Sequence, residues 1–320
     1  MSDANLPQVD FDTSSGLAAL RSSGECWIWR DFKIITSAVG GHASAAIAEN
    51  NNGHRHNVYE GLIIGAATVH TGFAAGFELN SVNLYGQPAV HNCVSQYNTV
   101  GFKTNATRDY FITNCIFREN SSHGVDLTGN RDNGLATFLN CLIVDNGGNG
   151  VNESAATAAR DIHRDAICYI NCTIANNTGD GIKIQTNGDR KAWNHKLIFN
   201  NIIAGNGGYG INASGTINAS DFLSDPPWIA YNMFNGNTSG AITPTAVSDL
   251  SVSESTADPQ FVDDANGDYT PGDNAESLAC FATVRGKIGT FGNAPGAIQP
   301  TYSGGGGGFR RISLNGGFNG

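Results

Sequence analysis

Two acidic residues in the middle of the chain have the type and spacing that acid–base chemistry on a sugar would need. Asp126 lies two residues after Gly124, and Asp180 lies one residue before Gly181. Hydrolysis of a glycosidic bond uses two carboxyl groups that flank one sugar. Both glycines belong to equivalent positions of a repeat described below, so we expect the two carboxylates on one face of the fold. Neither aspartate has a neighbouring acidic partner, which favours a structural role for both.

Other candidate sites in the sequence are weaker. The segment 160–165 is dense in charge, and a lyase would need a basic residue beside calcium-binding carboxylates, but a solvated loop explains this segment better. His54-Arg55-His56 has no partner ligands in view for a metal ion. The glycine run 304–308 lacks the Lys-Ser/Thr pair of a phosphate-binding loop. The sequence therefore predicts no catalytic residue, no metal ligand and no cofactor.

The segment 303–320 indicates a protein partner. Its five consecutive glycines precede Phe309, Arg310, Arg311 and Ile312. Glycine loses the most backbone entropy on folding and brings no side chain to bury, so the run does not order itself. The two apolar residues can bury surface, and the two arginines can pair with an acidic surface. We therefore predict that these four residues bind another chain.

A repeat determines the elements that must position these residues. Four times, an asparagine is followed directly by cysteine or asparagine, then by an asparagine six positions after the first, then by a glycine four positions later. The copies begin at Asn114, Asn140, Asn171 and Asn200. Short β-branched and aromatic runs lie between the Asn/Gly clusters, so each copy predicts three short strands separated by tight corners. Such copies bury a core only when they are stacked.

The repeat resembles that of the right-handed parallel β-helix, the pectate-lyase-like solenoid, over roughly residues 27–243. The common form Asn-x-x-Ile-x-x-Asn-x-x-x-Gly-Ile is matched from Asn171 to Ile182. The resemblance implies an all-β, right-handed parallel β-helix of about eight coils. The coils are expected to start near Asp31, Glu60, Asn92, Asn114, Asn140, Asn171, Asn200 and Asn232.

What this family does is varied. It includes lyases, hydrolases, epimerases, phage tailspikes and proteins with no chemistry, so the fold does not fix the function. The triplets Ser122-His123-Gly124 and Gly179-Asp180-Gly181 resemble polygalacturonase signatures in part. The acidic pair and the Arg-x-Lys element of those enzymes are absent at matching positions. We therefore interpret both triplets as ordinary repeat residues.

The ends of the chain depart from the repeat. The expected organisation is an N-terminal cap at 1–26, the parallel β-helix at 27–243, an irregular C-terminal closing segment at 244–302 and a Gly-rich anchoring tail at 303–320. The cap contains a short helical candidate at 14–20. Residues 258–269 and 296–298 resemble the closing motifs that follow many right-handed β-helices. We expect both to be structural.

Composition and cysteine usage limit the partners and the compartment. The formal net charge is -10, so the chain as a whole is a poor candidate for binding nucleic acid or anionic membranes. The sequence shows no signal peptide and no apolar stretch near 18 residues. Cys93, Cys115, Cys141 and Cys172 share one repeat position. We expect them to stack as buried free thiols that act as small apolar fillers, and we expect folding in a cytoplasm.

Two functions from different classes fit these observations. The first is a non-enzymatic virion structural protein, most concretely a capsid decoration or stabilising protein of a tailed phage. It would be made in the host cytoplasm and would join other virion proteins, of capsid or tail, as a homo-oligomer. The second is a polysaccharide-binding or polysaccharide-degrading β-helix such as a tailspike depolymerase, for which Trp193, Trp228 and Tyr209 could line a groove. The missing leader, the thiols and the tail favour the first.

Overall fold

The computed structural model describes most of the repeat region in full. The described residues are 6–11, 20–22, 27–36, 42–49, 56–66, 72–79, 87–104, 110–128, 136–154, 167–185, 196–214, 227–248 and 251–271. Within them the chain is all-β, apart from a four-residue helical turn, α1 (Thr245–Ser248), and a 3₁₀ turn at Asp264–Asn266.

The strands form three parallel sheets of nine strands each. Sheet A contains β1 (Gln8–Phe11), β4 (Lys33–Thr36), β7 (Ile63–Ala66), β10 (Val94–Gln96), β13 (Ile116–Arg118), β16 (Leu142–Val144), β19 (Thr173–Ala175), β22 (Ile202–Ala204) and β25 (Met233–Asn235). Sheet B contains β2 (Leu20–Ser22), β5 (His42–Glu49), β8 (Phe73–Leu79), β11 (Val100–Lys103), β14 (Val125–Thr128), β17 (Val151–Ser154), β20 (Ile182–Gln185), β23 (Tyr209–Ser214) and β26 (Gly240–Thr243). Sheet C contains β3 (Ile28–Arg30), β6 (Val58–Glu60), β9 (Ala89–His91), β12 (Tyr110–Thr113), β15 (Ala136–Leu139), β18 (Ile167–Ile170), β21 (Leu197–Phe199), β24 (Trp228–Ala230) and β27 (Ser251–Val252).

Each strand pairs in parallel with the strand three places later in the chain. The chain therefore winds through sheets C, A and B in turn, and each winding stacks on the one before. This is a parallel β-solenoid, and it confirms the predicted fold class. The predicted number of about eight coils is wrong. Each sheet has nine strands, and the solenoid has about five turns rather than eight. The sequence repeat marks only regular turns, and it does not include β1 and β2, which lie ahead of the first predicted coil start and pair with β4 and β5.

The corner between sheets C and A requires a left-handed backbone. The corner residues, with φ between 53° and 66°, are Asp31, Gly61, Asn92, Asn114, Asn140, Asn171, Asn200 and Tyr231. Glycine, asparagine and aspartate reach this region at the lowest cost. Two predicted coil starts are therefore wrong by one residue: Gly61 turns the corner instead of Glu60, and Tyr231 instead of Asn232.

Asparagines at this corner form an outer ladder along the solenoid. Each Nδ2 group donates to the Oδ1 atom of the preceding coil. Asn114 donates to Asn92 at 3.3 Å, Asn140 to Asn114 at 3.2 Å, and Asn200 to Asn171 at 3.0 Å. Asn171 likewise donates to Asn140. The repeated asparagine thus serves both the corner conformation and the contact between coils.

A second, inner ladder follows the corner between sheets A and B. It consists of Asn98, Asn120, Asn146, Asn177, Asn206 and Asn237. The Oδ1 atom of Asn177 accepts both the backbone N–H (3.2 Å) and the Nδ2 group (2.8 Å) of Asn146. Its own Nδ2 group donates to the Ile143 carbonyl at 3.1 Å and to Asn206 Oδ1 at 2.9 Å. Buried amides are stable only with such partners. Where one ladder asparagine donates to another through its side chain, the acceptor belongs to the following coil.

The predicted column of thiols is confirmed. Cys93, Cys115, Cys141 and Cys172 are free and at most 1% exposed. Their Sγ atoms lie near backbone carbonyls, as Cys115 does near Val90 at 3.4 Å. Burial raises the pKa of Cys115 and Cys172 well above the ordinary value. These groups are therefore small apolar fillers of the core.

The same column continues with amides and ends in a carboxylate. Asn201 Oδ1 accepts the Cys172 N–H at 2.8 Å, and Asn232 Oδ1 accepts the Asn201 N–H at 3.0 Å. Glu254 Oε2 then accepts the Asn232 N–H at 2.7 Å. Burial raises the pKa of Glu254 to about 8. Asn232 thus lies inside the solenoid, at the column position that cysteines occupy in earlier coils. The residue before it, Tyr231, therefore forms the corner.

A closing strap, residues 258–271, packs on the outer face of sheet A. Tyr269 is fully buried against Leu142 and Val144 and makes an edge contact with Phe261, with ring centroids 5.1 Å apart. Its hydroxyl donates to Asp145 Oδ1 at 2.6 Å. The predicted closing motif therefore covers apolar side chains that sheet A presents to the outside.

Replacing Asn177 with alanine is expected to destabilise the solenoid by about 3–5 kcal/mol, because it leaves several buried donors and acceptors of adjacent coils without partners. Urea unfolding followed by circular dichroism measures the change. Asn235→Ala is the matched control. That asparagine is partly exposed and donates one hydrogen bond, to the Thr256 carbonyl at 3.1 Å, so the expected loss is below about 1 kcal/mol. Equal losses in the two variants would contradict a stabilising role for the inner ladder.

Candidate functional site: the polar face of sheet B

The outer face of sheet B carries a row of charged and amide side chains, one on each of six successive coils. The strand register aligns Glu78, Lys103, Asp126, Asn152, Lys183 and Asn212. Successive residues of a strand point to opposite faces, so apolar neighbours such as Val125 and Ile182 enter the core while this row faces outwards. Lys103 Nζ lies 3.8 Å from Glu78 Oε1.

A second row runs beside the first, where each coil enters sheet B. It consists of His123, Asn149, Asp180 and Tyr209, and the two rows together are called the polar face here. The Nδ1 atom of His123 accepts the Asn149 N–H at 2.9 Å. The Oδ1 atom of Asn149 accepts the Asp180 N–H at 2.9 Å, and the Oδ1 atom of Asp180 accepts the Tyr209 N–H at 2.7 Å. The side chains of His123, Asn149 and Asp180 thus each accept a hydrogen bond from the backbone of the following coil.

Amide side chains connect the two rows. Asn152 Nδ2 donates to Asp126 Oδ1 at 2.9 Å, and Asn149 Nδ2 donates to Asn152 Oδ1 at 3.3 Å. Asn212 Nδ2 donates to Asp180 Oδ2 at 2.8 Å. The prediction that Asp126 and Asp180 share a face is therefore confirmed. They lie in different rows and two coils apart, a separation of roughly 10 Å along the solenoid at about 4.8 Å per strand.

The hydrogen bonds of these aspartates give them a structural role that needs no substrate. Asp180 is 8% exposed, and both of its oxygens accept hydrogen bonds from the next coil. Asp126 accepts from the amide of the coil that follows it. Acid–base work on a sugar needs carboxyl groups that reach the substrate. In this arrangement the carboxylates instead connect coils.

The imidazole of His123, on the polar face, has a lowered pKa. Burial lowers its pKa, and the nearby carboxylate of Asp126 opposes that change. Because Nδ1 accepts the Asn149 N–H, the neutral ring carries its proton on Nε2. Protonating Nδ1 would remove this hydrogen bond. The neutral imidazole is therefore part of the contact between two coils.

A buried charged cluster lies behind the polar face, and the sequence did not predict it. Lys196 Nζ lies 2.5 Å from Glu153 Oε2, and the Tyr169 hydroxyl donates to Glu153 Oε1 at 2.6 Å. Glu153 occupies an inward position where the neighbouring coils have Leu127 and Ile184. An acidic residue at a core position of the repeat could have indicated a buried charged cluster, because a buried carboxylate needs a partner. The cluster is closed to solvent, so it offers no site for a substrate.

Only some of the other candidate residues from the sequence lie in the described part of the chain. Trp228 is exposed on sheet C and Tyr209 lies on the polar face, so the structure does not bring them together. His56 is exposed. The predicted partner-binding residues lie outside the described residues, namely Phe309, Arg310, Arg311 and Ile312. The same holds for six other candidates: His54-Arg55, Trp193, the charged segment 160–165, the glycine run 304–308 and the segments 14–19 and 296–298.

Among the described residues, no group of three or more His, Cys, Asp or Glu side chains is placed to hold a metal ion. In the part of the chain that the structure describes, no helix has the length and apolar character that crossing a membrane requires. No protein-family model matches the chain, and no curated protein matches it.

Replacing His123 with asparagine is expected to remove part of the loss of stability in acid. The pKa of the folded-state imidazole is below its ordinary value, so its contribution is complete above about pH 6.5. That contribution is lost as the pH falls through the lowered pKa. Asparagine provides an acceptor that does not titrate in this range. Thermal melts between pH 7.5 and 5 should show a smaller decrease in Tm for the variant, and identical decreases would contradict the assignment.

Proposed function

We propose that this chain is a non-enzymatic structural protein of a virion, most concretely a protein that decorates or stabilises the capsid of a tailed phage. The observation that carries the proposal is the use of polar side chains. The asparagine ladders and the aspartates of the polar face bind the backbone or the amides of adjacent coils. Polar groups that are occupied by contacts between coils suit a structural role better than a catalytic one.

Two further features support the virion assignment. The buried free thiols suit folding in a reducing cytoplasm, and virion proteins of a phage are made in the host cytoplasm. The residues Phe309, Arg310, Arg311 and Ile312 supply apolar and cationic groups for docking on an acidic partner surface. The proposed partners are other virion proteins, of capsid or tail, together with further copies of this chain. Nucleic acid, membranes and cofactors are not among the proposed ligands.

The second candidate is a polysaccharide-binding or polysaccharide-degrading β-helix. The feature that favours it is the polar face itself, where Asn152, Lys183 and Asn212 follow one another on three successive coils beside Tyr209. Hydrogen-bonding side chains at a regular spacing can bind a repeating glycan. Under this alternative the chain would retain or cleave a host-surface polysaccharide.

The purified chain is expected to release no product from pectin, alginate or host-surface polysaccharide, because its aspartates are engaged by adjacent coils. Reducing-end and ultraviolet assays measure hydrolysis and elimination, respectively. A parallel reaction with an authentic polysaccharide lyase establishes that each substrate is accessible. Product formation that disappears in Asp126→Asn or Asp180→Asn would overturn the structural proposal in favour of the enzymatic candidate.

Deleting residues 303–320 is expected to leave a soluble protein that melts cooperatively but no longer joins the virion. The glycines of this segment bring no side chains to bury, whereas its apolar and cationic groups are the proposed anchor. Co-sedimentation with particles that lack the protein measures the binding. The double variant Phe309→Ser/Ile312→Ser keeps the length of the tail and should show the same defect. Normal incorporation of both variants would rule out the anchoring role.

A further inference from the structure

Exposed apolar side chains are concentrated on one side of the solenoid. Seven large hydrophobic residues of the described chain are strongly exposed. Five of them belong to strands of sheet C or directly precede one, namely Trp27, Ile28, Phe111, Trp228 and Val252. Exposed apolar groups scattered singly need no explanation, but a contiguous patch of them marks an interaction site.

The outer face of sheet C also lacks charge over most of its length. Two outward rows run from β9 to β27. The first row contains Ala89, Phe111, Thr137, Cys168, Leu197 and Trp228. The second row, after His91, contains Thr113, Leu139, Ile170, Phe199, Ala230 and Val252. None of these twelve side chains is charged, whereas the corresponding face of sheet B carries Glu78, Lys103, Asp126 and Lys183.

Aromatic side chains organise one end of this face. Phe199 is 4% exposed because Trp228 and Tyr231 cover it, with ring centroids at 5.4 Å and 5.2 Å. Trp228 itself is 57% exposed. The large, rigid side chain of an exposed tryptophan is a frequent anchor of protein interfaces. The apolar face thus has a fixed aromatic group at the position where a partner would contact it.

Sheet A shows how this protein treats an apolar outer face. There, Leu142, Val144 and Ala175 are buried beneath Tyr269 of the closing strap. Among the described residues, no comparable segment packs on the rows of sheet C. The face of sheet C therefore resembles the covered face of sheet A in composition but leaves Phe111, Trp228 and Val252 exposed.

We propose that the outer face of sheet C binds the same face of a second copy of this chain. A second copy has the same spacing of about 4.8 Å between coils, so rows of side chains interdigitate in register along the whole length. The net charge of -10 opposes association of two copies through charged surfaces, and this uncharged face avoids that repulsion. An isologous contact of this kind closes as a two-fold dimer.

The available area is compatible with such a dimer. The seven strands of the uncharged rows, β9 to β27, cover roughly 34 Å at about 4.8 Å per strand, and a strand with its asparagine corner is about 15 Å wide, which gives about 500 Å² of flat area per copy. A standard interface buries about 800 Å² per partner, counted as accessible surface of side chains rather than as flat area. The inference rests on the homo-oligomeric part of the proposed function and names the surface involved.

The test measures the mass of the purified full-length chain by sedimentation equilibrium over a series of concentrations. The monomer mass is 33.6 kDa, and the wild type should associate to twice that mass. The double variant Phe111→Glu/Trp228→Glu places two charges at exposed positions of the face and should raise the dissociation constant at least about tenfold. The control variant Val9→Glu/Val262→Glu makes the same change at exposed apolar positions away from sheet C and should dimerise normally.

A second variant protects the test against misfolding. Thr137→Arg introduces one charge at a partly exposed position in the middle of the face, and melting curves establish that each variant is folded. A wild type that stays monomeric at every concentration, a stoichiometry other than two, or normal dimerisation of both face variants would overturn the proposal. No virion is present in this experiment, so its outcome is separate from that of the particle-binding test of the tail.

Discussion

The structure depends on one constraint: each coil must turn sharply and still leave its backbone polar groups paired at the spacing of adjacent strands. The corner between sheets C and A meets it with a residue in the left-handed conformation, from Asp31 to Tyr231. The corner between sheets A and B places an asparagine inside, where its amide binds the backbone of the preceding coil and the asparagine side chain of the following one. Because a buried, unpaired amide is costly, each coil is stable only in register with its neighbours.

From this constraint the three outer faces acquire different characters. The corners fix which residues of each short strand point outwards, and the sequence then varies those positions independently of the core. Sheet A carries an apolar patch of Leu142, Val144 and Ala175, which the closing strap covers through Tyr269. Sheet B carries the polar face, and sheet C carries uncharged rows. One backbone pattern thus supports three surfaces with different chemistry.

The sequence predicted the parallel β-solenoid and the thiol column because both depend on local spacing that repeats in phase. It also placed Asp126 and Asp180 on one face. The number of windings and two corner positions were predicted incorrectly. Glycine at 61 turns the corner without an asparagine, and Asn232 is drawn into the core by Asn201. Sequence spacing cannot distinguish an asparagine that turns the chain from one that pairs inside it.

The buried pair of Glu153 and Lys196 was not predicted for a different reason. The two residues are far apart in the sequence, and only the stacking of coils brings them together. The same holds for Tyr269 and Asp145. Contacts across loops or from the strap to the solenoid depend on the three-dimensional winding, which the internal period of the repeat does not contain.

The two asparagine ladders run in opposite directions, and this affects the ends of the rod. Donors of the outer ladder point towards the N-terminal coils, as Asn140 does towards Asn114. In the inner ladder the contacts between asparagine side chains point towards the C-terminal coils, as Asn146 does towards Asn177, while the same amide also donates to a carbonyl of the preceding coil. The dipoles of the two stacks oppose each other, unlike the aligned peptide dipoles of an α-helix. The ladders therefore leave little partial charge at either tip, and electrostatic attraction between the tips of successive rods is correspondingly weak.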